Sequence, residues 1–271
     1  MNEDTPDGVA DTALVIGGAG SAGNAWVIGV IAGLASEGVD VAGAALTVGT
    51  SAGSTAAAQL AGASAESLYA AIVAAAPDAG RAGPEVGGAA RPRPAVTQLE
   101  RTGAIIAAAE DPADMRRRLG AMAIENADAA GEQGVHRWRS IVASRLPDAD
   151  WPEREILITA VDADSGEPVV FDRRSGVDQL DSVAASCSSG SAYRIGARRY
   201  IDGGYRTNAD NADLAAGYAR VLVLSPFGGR TRTPRAWGLW LASQLDELRR
   251  TGSEVETIFP DAAPSPRSGT T

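Results

Sequence analysis

Two short glycine-framed turns between Leu14 and Leu60 restrict the folds open to this chain more than any other feature. The first, Gly18-Ala19-Gly20-Ser21-Ala22-Gly23, follows the apolar run Leu14-Val15-Ile16. The second, Gly49-Thr50-Ser51-Ala52-Gly53, follows Ala45 to Val48. Beyond the first turn, Trp26, Val27, Val30, Ile31 and Leu34 recur at helical spacing up to Gly38; beyond the second, small residues run through Ala56 and Leu60 to Gly62. Both stretches read as strand, tight turn, helix. Such a turn leaves backbone N–H groups without intrahelical partners at a helix N-terminus, where negative charge is stabilised. Strands alternating with helices predict a mainly parallel sheet covered on both faces. Right-handed crossovers then place both turns at the carboxyl edge of that sheet, where ligands bind in such folds.

The rest of the chain fits one domain over residues 12–260, between a disordered leader (1–11) and a Pro/Ser/Gly-rich disordered tail (261–271). Ser64 caps a helix whose inner face is Leu68, Ile72 and Val73. Pro77 to Pro94 dissolves into Gly, Pro, Ala and Arg and is expected to be a flexible lid. A helical insertion spans about 95–147: Asp111-Pro112 is a start signal, Met115, Leu119 and Met122 mark one apolar face, and Val135, Trp138, Ile141 and Val142 another. Strand character returns at 156–161, pairing back through Val169-Val170-Phe171. A helix over Gln179 to Ala185 leads into the serine-rich 186–191, then the short run Tyr200-Ile201 before Asp202-Gly203-Gly204. A strand over 221–224 and an amphipathic helix over 236–250 complete the pattern.

Composition narrows the partners. A net charge of −10 argues against nucleic acid and against attraction to anionic surfaces. The lone Cys187, read as a small buried residue, precludes an intramolecular disulfide and suits a reducing compartment. The five tryptophans are expected as core or interface anchors. With no secretory signal or membrane span legible, the expected location is cytoplasmic.

Gly49-x-Ser51-x-Gly53 has the spacing of a nucleophile elbow, and its place between a buried strand and a small-residue helix is the context that motif requires. The N–H of Ala52 is then positioned for an oxyanion. His136, the sole histidine, sits among polar neighbours on the solvent side of its helix and precedes any late-strand acid, against the order Ser, acid, His. The chain has no lysine, which eliminates a Ser-Lys pair and a Walker loop. What remains as base is a carboxylate, and Asp202, ending an apolar run before two glycines that permit a sharp turn, is the candidate. The bland alternative is an Asp-Gly hairpin turn. Gly18-x-Gly20-x-x-Gly23 also matches a dinucleotide fingerprint, which needs an acid ending the next strand; Asp40 precedes that strand instead.

Taken in order, a glycine-rich turn (Gly18 to Gly23), G-x-S-x-G (Gly49 to Gly53) and D-G-G (Asp202-Gly203-Gly204) resemble the patatin-like phospholipase family over roughly residues 12 to 225. The resemblance implies a three-layer α/β/α sandwich with a mainly parallel central sheet and a helical insertion. It implies a serine acyl hydrolase of lipid or other carboxylic esters, with a Ser51–Asp202 dyad and no cofactor or metal. Backbone N–H groups of Gly18, Ala19, Gly20 and Ala52 would form the oxyanion hole, and a lipid substrate brings transient contact with a membrane surface. Three departures stand out. Ala19 replaces a family glycine, Ala22 replaces the usual basic residue, and Ser188 to Ala192 is shorter than the family's proline-containing loop. The alternatives are a Rossmann-type nucleotide binder using Gly18 to Gly23, and a catalytically silent relative.

Overall fold

A computed structural model describes residues 11–75, 94–148 and 150–261. The expected leader up to residue 10, the expected lid from 77 to 93 and the tail beyond Asp261 fall outside these residues, while Pro94 opens a helix. β1 (Thr12–Ile16) leads into α1 (Gly20–Ser36), β2 (Leu46–Gly49) into α2 (Ala52–Gly62), and α3 (Ala65–Ala75) follows. The insertion consists of α4 (Pro94–Ala108) and α5 (Pro112–Ala143). Then come β3 (Glu155–Asp162), β4 (Pro168–Phe171), α6 (Gln179–Ser186), β5 (Tyr193–Ile195), β6 (Arg198–Asp202), β7 (Arg220–Leu224), α7 (Leu241–Arg250) and β8 (Glu254–Ile258).

Among the described residues the eight strands form one sheet, ordered β5-β6-β3-β2-β1-β7-β8 with β4 on β3. From β3 to β8 all pairings are parallel; β4 and β6 run antiparallel to β3, and β5 antiparallel to β6. The central strands are apolar on both faces because both faces are covered. In β1, Leu14 and Ile16 pack with α1, α2 and α6 residues such as Val27, Ala56 and Val183. Ala13 and Val15 point the other way, onto Leu241, Leu245 and Leu248 of α7. The result is an α/β/α sandwich with a mostly parallel sheet, as the alternation of elements predicts.

Several local expectations need correction. α7 begins at Leu241, not at 236: Trp237 belongs to a 3₁₀ turn (Arg235–Trp237) that Gly238 ends with φ 68°. Val73 is 54% exposed and does not join the inner face of α3. The two apolar faces of the insertion lie on one merged helix, broken where Gly131 takes φ 63°, ψ −172°. β5 and β8 were not anticipated. β8, with its alternating Glu254-Val255-Glu256, extends the parallel sheet beyond β7.

The helix after the second turn packs directly against the first strand. A Cβ on Gly53 would lie 2.0 Å from the Ile16 carbonyl oxygen, so α2 can approach β1 only through a bare Cα. Gly33 in α1, by contrast, has nothing within 4 Å of such an atom. Urea denaturation is therefore expected to show Gly53→Ala losing about 3 kcal/mol or failing to fold. Gly33→Ala should gain roughly 0.5–1 kcal/mol from helix propensity.

Candidate active site

The site is built where two strands meet end on. β2 pairs with β3 up to Gly49 opposite Ile158, while β6 descends antiparallel and stops with Asp202 opposite Ala160. The carboxyl ends of β2 and β6 thus face each other two residues apart along β3. Asp202 reaches the parallel sheet's rim from the opposite direction, on a strand whose polarity the sequence did not show.

Leaving β2, the chain turns at Ser51, which holds φ 53°, ψ −121°. A non-glycine residue at positive φ is strained, and here the surroundings fix it. Its N–H donates to Ser186 Oγ at 2.8 Å, and its carbonyl accepts from Ser54 Oγ at 2.6 Å. The turn itself is tied down by the Thr50 N–H, which donates to the Ile16 carbonyl at 3.1 Å. Ser51 Oγ then donates to Asp202 Oδ2 at 2.8 Å, across 151 residues of chain. The other carboxylate oxygen accepts from Gly204 N–H, also at 2.8 Å, so the group is oriented by the 3₁₀ turn (Gly203–Tyr205) that it caps.

The two glycines after Asp202 serve space and not left-handed geometry, since neither has a positive φ. A Cβ on Gly203 would stand 2.2 Å from the Thr159 carbonyl oxygen, and one on Gly204 3.1 Å from Asp202 Oδ1. Gly20 does require its freedom, at φ 62°. Gly23 clears Ala19, whose Cβ would lie 2.5 Å from an added one. Gly49 lets Ser54 approach, with its Cα 2.6 Å from where a Cβ would be.

One oxyanion candidate is overturned. The N–H of Gly18 donates to the Ala209 carbonyl at 2.9 Å and is not available to a ligand. Gly18 contributes clearance instead: a Cβ there would sit 2.8 Å from Ser51 Cβ. The N–H groups of Ala19, Gly20 and Ala52 have no hydrogen-bond acceptor among the described residues, and these residues line the cavity beside Ser51.

That cavity measures about 980 Å³. Leu99, Ile106, Met115, Trp138, Tyr205 and Phe227 give it apolar wall, so Trp138 is more than a packing anchor. Arg232 also lines it, donating to Thr102 Oγ1 at 2.8 Å and to the Leu99 carbonyl at 3.1 Å. His136 is exposed and does not line the cavity. Cys187 lines it too, with Sγ 3.6 Å from Thr55 Oγ1; burial first, then the charge of Asp202, pushes its thiol up to about 11, keeping it protonated. Asp40 binds its own loop through the Gly43 N–H and leads into the amino end of β2, the wrong edge for a nucleotide ribose. Among the described residues no group of three or more His, Cys, Asp or Glu could hold a metal ion.

Sequence reasoning missed the loop that supports both glycine turns. Asn211, in the left-handed conformation at φ 56°, donates through Nδ2 to Thr50 Oγ1 and to the Gly203 carbonyl, each at 3.0 Å. Thr159 Oγ1 donates to Thr50 Oγ1 at 3.0 Å within the same buried junction. Gln244 of α7 satisfies the loop from behind, accepting from Asn208 Nδ2 and the Ala212 N–H and donating to Asp213. The density of Asn and Asp in 207–213 was the available signal.

Burial raises the Asp202 carboxyl from 3.8 to about 6, opposed in part by the Gly204 N–H and Ser51. No family model matches the sequence, and no curated protein matches it either. No helix among the described residues is long and apolar enough to cross a membrane.

The raised pKa fixes a sign. Between 3.8 and about 6 the folded chain holds a proton that the unfolded chain releases, so this group's contribution to stability falls as pH rises through that window and stays lower above it. Asp202→Asn should flatten that part of the curve and gain up to about 3 kcal/mol at neutral pH, as read by urea denaturation at a series of pH values.

Proposed function

We propose that this protein is a serine acyl hydrolase acting on carboxylic esters of lipids, in the manner of the patatin-like phospholipases it resembles. The observation that carries the reading is the 2.8 Å hydrogen bond from Ser51 Oγ to a buried carboxylate at a strained strand-to-helix turn. Hydroxyl, base and base-orienting N–H are then in the relation that nucleophilic catalysis needs, with Asp202 where histidine more often stands.

Asp202 takes the Ser51 proton as Oγ bonds to the ester carbonyl carbon. The negative charge that develops on the carbonyl oxygen is held by the N–H groups of Ala19, Gly20 and Ala52. The alkoxide leaves with the proton carried by Asp202, giving an acyl-serine and an alcohol. Water then gives a proton to Asp202 as it attacks the acyl carbon; that proton returns to Ser51 Oγ, and the carboxylic acid departs. A carboxylate at its ordinary pKa is a weak base for a hydroxyl. One raised to about 6 is better matched, and the oxyanion donors supply the rest. The apolar wall of the cavity suits an acyl chain.

Ser51→Ala is expected to abolish labelling by a fluorophosphonate probe and to lower p-nitrophenyl ester hydrolysis by roughly 10³-fold or more. Retention of either would remove the assignment, and an intact wild type that does not label would mark a catalytically silent relative. The pH profile of kcat/KM should rise through about 6 as Asp202 ionises and show no descending limb near neutrality.

A further inference from the structure

Beside the catalytic cavity lies a second one of about 300 Å³, between α5 and the segment Cys187 to Tyr193. Its origin is in the chain. α5 is fastened to that segment at one end, where the Ala192 N–H donates to the Ala123 carbonyl and Asn126 Nδ2 to the Gly190 carbonyl. It is fastened to α6 at the other, through Trp138 Nε1 to the Ala184 carbonyl at 3.0 Å and Arg139 to Asp181 at 2.8 Å. Between the two fastenings Gly131 breaks the helix, and the small residues Ala127, Ala130, Gly131 and Gly134 line the wall beside Val135 and Trp138. Small side chains on a kinked helix held at both ends leave the space unfilled.

The opposite wall carries serines, and several of its hydrogen-bonding groups are engaged within the chain. Ser188 Oγ donates to the Ala184 carbonyl, and the Ser188 carbonyl accepts from Asp202 N–H. The Ser189 carbonyl accepts from Gln98 Nε2. No charged side chain lines this space. It therefore offers no counter-charge to a phosphate or a nucleotide, and the wall of Ala127, Ala130, Val135 and Trp138 suits hydrocarbon. It meets the catalytic cavity at Trp138, Cys187 and Ser189, which belong to both, and it opens to solvent along Ala130 and Gly131.

We infer that this second cavity binds the distal part of a medium- or long-chain acyl group, which passes over Trp138 from the carbonyl held at Ser51. The inference rests on the acyl-hydrolase reading for the position of the carbonyl. The occupant of the cavity itself, a saturated hydrocarbon chain bearing a carboxyl group, can be tested without turnover.

Binding of dodecanoate and of butanoate is measured by calorimetry on the full chain carrying Ser51→Ala, alone and combined with Ala127→Leu or with Ala130→Leu. Ala130 is an exposed helical position where leucine is tolerated, so one of the two variants keeps the fold even if the other does not. Each added side chain takes the room of several methylenes. Dodecanoate affinity should fall about tenfold or more, and the ratio of dodecanoate to butanoate affinity should fall with it. In the enzyme with Ser51 intact, the same substitutions should lower the ratio of kcat/KM for p-nitrophenyl dodecanoate to that for the acetate by a similar factor. A Ser51→Ala chain that binds no dodecanoate, or folded double variants that bind it unchanged, would overturn the inference. If dodecanoate binding weakens as stated while Ser51→Ala leaves ester hydrolysis intact, the chain site stands and the Ser51 assignment falls.

Discussion

A single buried carboxamide holds together the two strand ends on which everything else depends. Asn211 Nδ2 bonds to Thr50 Oγ1, on the turn that presents Ser51, and to the Gly203 carbonyl, on the turn that presents Asp202. Thr159, on the strand both neighbours share, completes the junction. Because every member is buried, an unmade bond here costs the full desolvation of the abandoned group, which fixes the arrangement sharply. The separation of Ser51 and Asp202 is thus set by a polar network beneath them and not by their own hydrogen bond. The same loop, through the Ala209 carbonyl, occupies the N–H of Gly18 and props the first glycine turn.

The molecule accepts local cost at this rim and offsets it elsewhere. Ser51 sits in a backbone region that L-residues avoid, and two carboxyl groups, Asp202 and Asp210, are each raised to about 6 by burial. Asp210 keeps one oxygen without a hydrogen-bond partner, and that oxygen lies 2.2 Å from where a Cβ on Gly17 would be. Against this, the sheet is covered on both faces, and α7 seals the loop through Gln244 while its leucines fill the second layer. Alanine, glycine and serine in α2 and α6 let helices lie close to strands. That closeness is how an alanine-rich chain with 5% aromatic residues still encloses its strands.

Much of this was legible beforehand, and the reasons are local. Glycine turns after apolar runs declare strand–turn–helix units, and parallel strands with short crossovers put both at one edge. Ser51, Asp202 and the helical insertion were readable on those grounds. What was hidden depends on distant chain. The direction of β6 is not encoded in the run Tyr200-Ile201, since apolar content is the same whichever way a strand runs. β5 has three residues and β8 alternates with glutamates, so neither stands out from its surroundings. The glycines at 203 and 204 suggested a conformational need, whereas the actual need is clearance for Thr159 and Asp202. Gly18 was a fair oxyanion donor until Ala209, far along the chain, took its N–H. Trp138 reads as a packing residue because its spacing is that of a buried helix face, whereas in the fold it lines both cavities.

The absence of lysine and the surface position of the sole histidine give burial its role in the proposed chemistry. A carboxylate in water is too weak a base to take a proton from serine, and the local lever that strengthens it is loss of solvation. Solvation is lost here because β6 arrives head on against β2, leaving the Asp202 carboxylate buried, with the Gly204 N–H and the Ser51 hydroxyl as its donors and no ion pair to a cation among the described residues. An arginine at this position would bring the carboxylate back toward its ordinary pKa and remove the basicity. The topology that brings the two side chains together is therefore also what raises the pKa of one of them, as the proposed chemistry requires. Strand direction, which the sequence conceals, is the feature from which that basicity follows.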